Sequence, residues 1–300
     1  MLNYYQQFID YLTYEKQHSK LTIKAYEDDL HEFEKFLVAT KVQEKDVDSM
    51  TAHNYVVALI RKGNSRRSIA RKISSLRGFY KFQVKNEFRD DNPFLGIETQ
   101  KYEKALPSFL PVEQIIELLN VNINENSSIN ERNQAIINLL YSSGMRVSEL
   151  VNLKLSDLDV KEQTIRILGK GNKERIGLIN EYSLGRVIHY LENGRLDLKS
   201  KNPDKCDYII LNNRGGKITS RGVELIVKQM GYALKQPKDI YPHMLRHSLA
   251  THMMDNGMDL RSVQELLGHK SLSATQVYTH VSSAHLHEVY DATHPRAHKK

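Results

Sequence analysis

The sequence predicts a mainly α-helical protein of two domains, the second of which contains one small antiparallel sheet. Apolar residues recur at helical spacing through roughly the first 90 residues. The run Asp90-Asp91-Asn92-Pro93 then interrupts this pattern, because proline disfavours helix at the residue before it. Farther along, two short β-rich segments flank a glycine-containing turn. We therefore predict a helical domain at residues 1–90, a linker at 91–107 and a second domain at 108–300.

Two helices of the first domain stand out. In the first, Thr22 is in a position to cap a helix. The apolar residues of that helix recur at helical spacing and are Ile23, Tyr26, Leu30, Phe33 and Leu37. The second runs from about Ser65 to Asn86, and its predicted buried face consists of Ile69, Ile73, Leu76, Tyr80 and Val84.

The opposite face of the second helix is basic. It carries Arg67, Arg71, Ser74, Gly78, Lys81 and Lys85, and the stretch from Arg61 to Asn86 has nine basic residues and no acidic one. A solvated helix face is one interpretation, but such faces usually mix signs because opposite charges at i,i+4 support the helix. A single sign with small residues in the stripe favours close approach to a phosphate backbone. The candidate DNA-binding residues are Arg67, Arg71, Lys81 and Lys85.

The second domain opens with predicted helices around Pro111 to Leu119 and Arg132 to Tyr141. Residues 164–168 and 175–179 have the pattern of two short strands, joined by a hairpin turn at 169–174. Helices resume from Glu181, with a short apolar run at 208–211, and continue to about Tyr290. This domain is therefore mainly helical around one small sheet.

Composition limits the classes of protein to consider. Hydrophobic residues make up 40% and charged residues 26% of the 300 residues, as in a globular protein. The net charge of +7 fits a polyanionic partner without requiring one. A single cysteine, Cys206, excludes an intramolecular disulfide and indicates a reducing compartment. Neither a signal peptide nor a membrane span is apparent, so we expect a cytoplasmic location.

Two segments of the second domain carry residues suited to binding a phosphate. Gly144 is expected to end one helix and Arg146 to begin the next, where a guanidinium and a helix N-terminus can both face an anion. Glu149 lies one turn later and could hold Arg146 in place, although a surface ion pair is the ordinary alternative. In the hairpin turn, Lys170 lies between two glycines and can project far from the sheet, or be merely solvated.

A third segment combines histidines, an arginine and a tyrosine. His243, Arg246 and His247 are expected on one helical face, and His269 and Tyr278 follow. The two histidines at i,i+4 resemble a zinc-binding pair, but no glutamate follows the first as in H-E-x-x-H, and a neighbouring arginine repels a cation. We therefore predict no metal. Each histidine and the tyrosine could also be ordinary interior residues.

Taken in order along the chain, these residues resemble the signature of the tyrosine recombinase family. That signature is an arginine, a hairpin lysine, His-x-x-Arg, a histidine and a nucleophilic tyrosine. All six positions match here, at Arg146, Lys170, His243, Arg246, His269 and Tyr278. The resemblance spans the whole chain, because the family's SAM-like four-helix core-binding domain is similar to residues 1–90. Within the family the chain resembles the cellular Xer recombinases, and its basic ending after Ala297 favours the XerC branch.

The resemblance implies a mechanism. Tyr278 would attack the scissile phosphate, forming a 3′-phosphotyrosyl bond and releasing a 5′-hydroxyl. The two arginines of the signature would clamp the non-bridging oxygens, with a further hydrogen bond from His269. Lys170 would protonate the leaving oxygen, and His243 would assist proton transfer at the nucleophile. The covalent intermediate conserves the bond energy, so neither ATP nor a metal cofactor is expected.

The resemblance also implies partners. The two domains would clamp double-stranded DNA at a specific recombination site from opposite sides. Four subunits, of this chain or of a paralogous Xer recombinase, would act through a Holliday junction, with the segment from Ser282 to Tyr290 docking into a neighbour. Resolution of chromosome dimers at cell division, activated by the DNA translocase FtsK, is expected. A mobile-element integrase, a type IB topoisomerase and a regulator with a decayed site remain alternatives.

Overall fold

The computed structural model of the protein describes residues 4–98, 109–169, 174–202, 206–268 and 289–296. The chain divides into two compact units, Met1–Ala105 and Leu106–Lys300. Both are mainly helical, and the second contains the sheet, so the predicted fold class is confirmed. No helix in the described parts of the chain is both long enough and apolar enough to cross a membrane.

All regular secondary structure in the described part of the first unit is helical. Its helices are α1 (Tyr5–Asp10, extended by a π-helical turn at Tyr11–Glu15), α2 (Lys20–Thr40), α3 (Ser49–Arg61) and α4 (Arg66–Lys85). The predicted helix from Ser65 to Asn86 is confirmed as α4, with those two residues as its caps. On its predicted buried face, Val84 is an exception, because it lies in the last turn and is exposed.

The cap of α2 was predicted at the wrong residue. Ser19 is the N-cap: its backbone is extended, and its hydroxyl accepts a hydrogen bond from the backbone N–H of Thr22 at 3.2 Å. Thr22 therefore lies inside the first turn, and the helix begins earlier than expected. The two hydroxyls are three residues apart and also contact each other at 2.8 Å. Both residue types cap helices well, which is why the pattern alone selected the wrong one.

The core of the first unit is aromatic. The ring of Phe33 on α2 meets Tyr55 of α3 and Phe94 edge-on, with centroids 4.9 Å and 5.4 Å apart. Phe94 is completely buried, although the sequence analysis assigned it to the linker. Arg77 of α4 fixes this segment, because its guanidinium donates to the carbonyls of Phe94 and Ile97 at 3.2 Å and 2.7 Å. Residues after α4 therefore pack on the same core.

The second unit is built around helix α6, which is buried on nearly all sides. Its helices are α5 (Val112–Asn120), α6 (Ser127–Ser143), α7 (Val147–Leu150), α8 (Glu181–Glu192), α9 (Gly194–Ser200), α10 (Ser220–Tyr232), α11 (Pro242–Asp255) and α12 (Leu260–Leu267). The two helices predicted at the start of this domain are confirmed as α5 and α6, and the helix predicted from Glu181 as α8.

The sheet has three antiparallel strands in sequence order, β1 (Leu158–Asp159), β2 (Thr164–Leu168) and β3 (Glu174–Leu178). The predicted hairpin is confirmed, with Thr164 opposite Leu178 and Leu168 opposite Glu174. Strand β1 was not predicted, because its two residues are too few to show an alternating pattern. Ile165 and Ile167 of β2 are fully buried, so the inward face of the hairpin packs on the core.

The end of the chain corrects one prediction. Residues 289–293 are helical, and Tyr290 is buried in the second unit, where its hydroxyl donates to the carbonyl of Ser142 on α6 at 3.0 Å. Docking of the segment 282–290 into a neighbouring subunit is therefore wrong for its last residue, which packs within its own chain. Residues 282–288 lie outside the described residues.

Candidate active site

The site begins at the tight turn between α6 and α7. Gly144 ends α6 in the left-handed conformation, with φ at +58°. A Cβ atom here would collide with the side chain of Leu267 at the end of α12. The next helix, α7, starts immediately afterwards, with Arg146 as its extended N-cap residue. Both predictions about this turn are confirmed, and its first position strongly favours glycine.

Glu149 holds Arg146 as the spacing predicted. Its carboxylate accepts the backbone N–H of Arg146 at 2.8 Å and the guanidinium Nη1 at 2.9 Å. Burial would raise the pKa of Glu149, but these hydrogen bonds and the nearby guanidinium of Arg175 outweigh it and lower the pKa below its ordinary value. The carboxylate is therefore ionised at neutral pH and fixes a guanidinium that is still 39% exposed.

Arg246 of α11 contacts the same turn. Its guanidinium donates to the carbonyl of Gly144 and, at 2.7 Å, to the carbonyl of Leu267. Burial, followed by repulsion from Arg146 and Arg175, lowers the pKa of Arg246 to about 10, so the side chain stays charged at neutral pH. Among the described residues Arg246 forms no ion pair. A buried cation held by carbonyls alone is poised to accept an anion.

The sequence analysis missed Arg175. This residue lies at the start of β3 and is only 14% exposed. Its Nη2 donates to Glu149 at 3.0 Å and its Nη1 to the carbonyl of Leu266 at 3.1 Å. The register of the hairpin could have identified it as an inward-facing residue. Arg175 pairs with the buried Ile167, and cross-strand partners share one face of a sheet.

The predicted histidines lie on α11. His243 is exposed in the first turn, and His247 is half-buried one turn later, beside the buried Arg246. The described part of the chain contains no group of three or more His, Cys, Asp or Glu residues arranged to hold a metal ion.

Three predicted catalytic residues, Lys170, His269 and Tyr278, lie outside the described residues. The structure does describe the chain next to two of them. Strand β2 ends at Leu168, two residues before Lys170, and α12 ends at Leu267, with its C-cap Gly268 immediately before His269. Gly268 has φ at +67°, and a Cβ atom there would lie 2.6 Å from Cδ of Arg175.

The basic stripe of α4 belongs to the first unit. Arg67, Arg71, Lys81 and Lys85 are all exposed, as predicted. Arg71, however, donates to the buried carboxylate of Asp29 on α2 at 2.5 Å. The single sign of charge within α4 is therefore offset by an acid from a neighbouring helix.

Other cations of α4 and the end of α3 are also neutralised. Lys72 and Lys62 both form ion pairs with Glu32 of α2, the second at 2.7 Å. Arg67 and Lys81 form no ion pair with any described residue. Lys85 forms none either and lies over the ring of Tyr11, 5.5 Å from its centroid, so these three residues, rather than Arg71, carry the free charge of the stripe.

Comparison with known proteins places the chain in a family. The profile of the phage integrase family matches residues 108–285, and that of the phage integrase N-terminal SAM-like domain matches residues 5–87. The chain belongs to the phage integrase family, whose members include the tyrosine recombinases named below.

Within this family the chain is similar to proteins named tyrosine recombinase XerC. It is 45% identical to that of Bacillus pumilus strain SAFR-032 over 295 residues, covering 98% of this chain and 96% of the relative. It is 39% identical to that of Bacillus subtilis strain 168, covering 99% and 98%.

Solved structures agree with this placement. A crystal structure of the XerH site-specific recombinase bound to its difH substrate has a TM-score of 0.65 at 26% identity, covering 94% of this chain and 83% of that one. The Tn1549 transposon integrase bound to transposon end DNA has a TM-score of 0.69, covering 94% and 96%. At 17% identity, that second likeness supports the fold alone.

Proposed function

We propose that this chain is a site-specific tyrosine recombinase that cuts and rejoins double-stranded DNA. Relatives with that name match this chain over nearly their whole length. The site also contains the arginines that such chemistry needs. The runner-up functions, mobile-element integrase and type IB topoisomerase, use the same cleavage step. Exchange of strands between two duplexes distinguishes the proposed activity from the topoisomerase.

One observation carries the proposal: Arg146 and Arg246 meet at the Gly144 turn, and their two positive charges are only partly neutralised. Arg146 is held by Glu149, whereas Arg246 is held only by carbonyl oxygens. Guanidinium groups fixed in this way match the non-bridging oxygens of a phosphate in geometry and charge. We therefore assign these two residues as the phosphate clamp.

The remaining steps are those that the resemblance to tyrosine recombinases implies. The hydroxyl of Tyr278 attacks phosphorus, so that a 3′-phosphotyrosyl bond forms and the bond to the 5′-oxygen breaks. Lys170 gives the leaving oxygen its proton, while His243 assists removal of the tyrosine proton. His269 donates a further hydrogen bond to the phosphate. The 5′-hydroxyl of a partner duplex then attacks the phosphotyrosine, restoring the tyrosine and rejoining the strand through a Holliday junction.

The exposed stripe of α4 supports DNA contact by the first unit. Arg67, Lys81 and Lys85 present positive charge beside Ser74, where little bulk separates the helix from a phosphate backbone. We include Arg71 in this surface, although Asp29 neutralises much of its charge.

The proposed partners follow from the Xer resemblance. Four subunits, either of this chain or with a paralogous recombinase, would pair two recombination sites. Resolution of chromosome dimers at cell division, activation by the translocase FtsK and a cytoplasmic location belong to the same proposal.

The test uses a nicked duplex that loses a short fragment after cleavage, so that the covalent intermediate cannot be reversed. Its recombination site is found by selecting the genomic fragments that the protein binds. We expect a protein–DNA adduct that survives denaturation for the wild type, without added metal, and none for Tyr278→Phe. Adducts from both proteins would show that a residue other than Tyr278 is the nucleophile. The absence of an adduct from both would contradict the proposed function.

A further inference from the structure

Arg175 contacts the groups that support the two arginines of the phosphate clamp. Its guanidinium lies between Glu149, which holds Arg146, and the carbonyl of Leu266, in the last turn of α12. The next carbonyl along that turn, Leu267, accepts the hydrogen bond from Arg246. One side chain therefore joins both supports of the clamp.

The end of α12 needs such donors. The last carbonyls of a helix have no intrahelical partner, so they require side chains or water. Arg175 and Arg246 each satisfy one of them, at Leu266 and Leu267. Displacing either guanidinium would therefore free the C-terminal turn of α12. The carbonyl of Leu267 would then no longer hold Arg246 in place.

The packing around Arg175 is tight enough to transmit such a displacement. The backbone of Gly268 passes so close that an added Cβ would lie 2.6 Å from Cδ and 3.1 Å from Nε of Arg175. The side chain is 14% exposed, and burial is the main cause that lowers its pKa. The guanidiniums of Arg146 and Arg175 pair with the Glu149 carboxylate, and Arg246 lies near enough to interact with all three charges, so the site is net positive.

We propose that Arg175 is a positioning residue for DNA cleavage, which orients Arg146 through Glu149 and Arg246 through the C-terminal turn of α12. This inference rests on the proposed recombinase function. Both terminal nitrogens of Arg175 donate to protein acceptors, so its effect reaches the phosphate through the other two arginines. A lysine in its place has a single point charge and cannot span Glu149 and Leu266 together.

The experiment compares two nicked duplexes, one with an ordinary scissile phosphodiester and one with a methylphosphonate at the same position. The methyl group replaces a charged non-bridging oxygen, so cleavage of the second duplex depends less on a guanidinium clamp. The measured quantity is the ratio of single-turnover cleavage rates on the two duplexes. A reduced fraction of folded protein lowers both rates equally and leaves this ratio unchanged.

We expect Arg175→Lys to lower the phosphodiester rate by about 100-fold, the scale of a small misplacement of catalytic groups. Its rate on the methylphosphonate should fall much less, so the ratio drops at least about 10-fold. Arg146→Ala, which removes a clamp residue, sets the size of the full effect. Arg166→Lys is the matched control, because Arg166 lies on the neighbouring strand in exposed ion pairs with Asp157 and Glu174.

Equal loss of both rates in Arg175→Lys, including complete loss, would assign the residue a structural role only and overturn the inference. Unchanged rates on both duplexes would also overturn it. In both cases the wild-type adduct still supports the proposed function. Absence of an adduct from the wild type on the phosphodiester is a separate result, which overturns the proposed function and this inference together.

Discussion

At the scale of single residues, the site depends on backbone positions that only glycine fills. Gly144 and Gly268 both have positive φ, and both face side chains that a Cβ would strike. Gly144 lies two residues before the catalytic candidate Arg146, and Gly268 lies directly before the candidate His269. Their role is therefore to let two helix ends approach the arginines closely.

Gly144→Ala should destabilise the second unit more than the same substitution at Gly257. Both positions have positive φ, which costs alanine about 1 kcal/mol. At Gly144 the new Cβ also strikes Leu267 and Leu249, whereas at Gly257 it meets nothing within 4 Å. Overpacking adds about 1–3 kcal/mol, so the loss of unfolding free energy in urea should differ by that amount. Equal losses would show that the turn relaxes freely.

Arg146→Lys should reduce cleavage of the nicked duplex by at least about 100-fold, the effect of losing a donor to a developing charge. Lysine retains the charge but cannot both contact Glu149 and present a two-pronged donor to the phosphate. DNA binding should change little, because the stripe on α4 is intact. The measurement is the single-turnover rate of adduct formation beside Arg166→Lys, and a near-normal rate would remove Arg146 from the clamp.

At the scale of helices and strands, local pattern predicted most elements and missed their long-range contacts. The approximate bounds of α4 were predictable from periodicity, and the β2–β3 hairpin from its turn residues. Arg175 was missed because its environment depends on hairpin register, which the residue pattern of one strand does not show. The ion pair of Arg71 joins residues 42 positions apart, so no reading of α4 alone could reveal it.

The basic stripe gives a prediction at this scale. Removing one free cation, by Arg67→Ala or Lys81→Ala, should lower the slope of log binding constant against log salt by about 1. Arg71→Ala should change the slope less, because Asp29 already compensates that charge. Titrations at several salt concentrations measure the slope. A full decrease for Arg71→Ala, with none for the other two variants, would contradict the assignment of free charge.

At the scale of the whole molecule, the residues around Tyr290 and His294 pack into the core of the second unit. His294 is 3% exposed, and its ring lies 5.3 Å from Tyr141 and 4.9 Å from Tyr290, centroid to centroid. Its Nδ1 accepts the backbone N–H of Arg296 at 3.1 Å, which fixes the neutral form of the ring. The segment that contains Tyr290 and His294 thus packs against α6 and stabilises the second unit.

This packing makes stability depend on pH. Burial, reinforced by His252 and Arg296, lowers the pKa of His294 to about 3. An unfolded histidine has a pKa near 6.5, so the unfolded state binds the proton first as pH falls. The stabilisation is complete above about pH 6.5 and is lost progressively from there down to about pH 3. At pH 5 the loss from this one residue is about 2 kcal/mol.

His294→Phe tests this argument, because it keeps an aromatic ring beside Tyr141 and Tyr290 but cannot take up a proton. The variant should be less stable at pH 7.5, since the acceptor for the N–H of Arg296 is lost. Its further loss between pH 7.5 and pH 5 should be smaller than that of the wild type by about 2 kcal/mol. Burial also lowers the pKa of His252, so part of the pH dependence should remain. Hydrogen exchange of α6 in urea measures the second unit alone, with the exposed His189→Phe as control. Identical pH dependence in His294→Phe and the wild type would show that protonation of His294 does not cause the loss of stability.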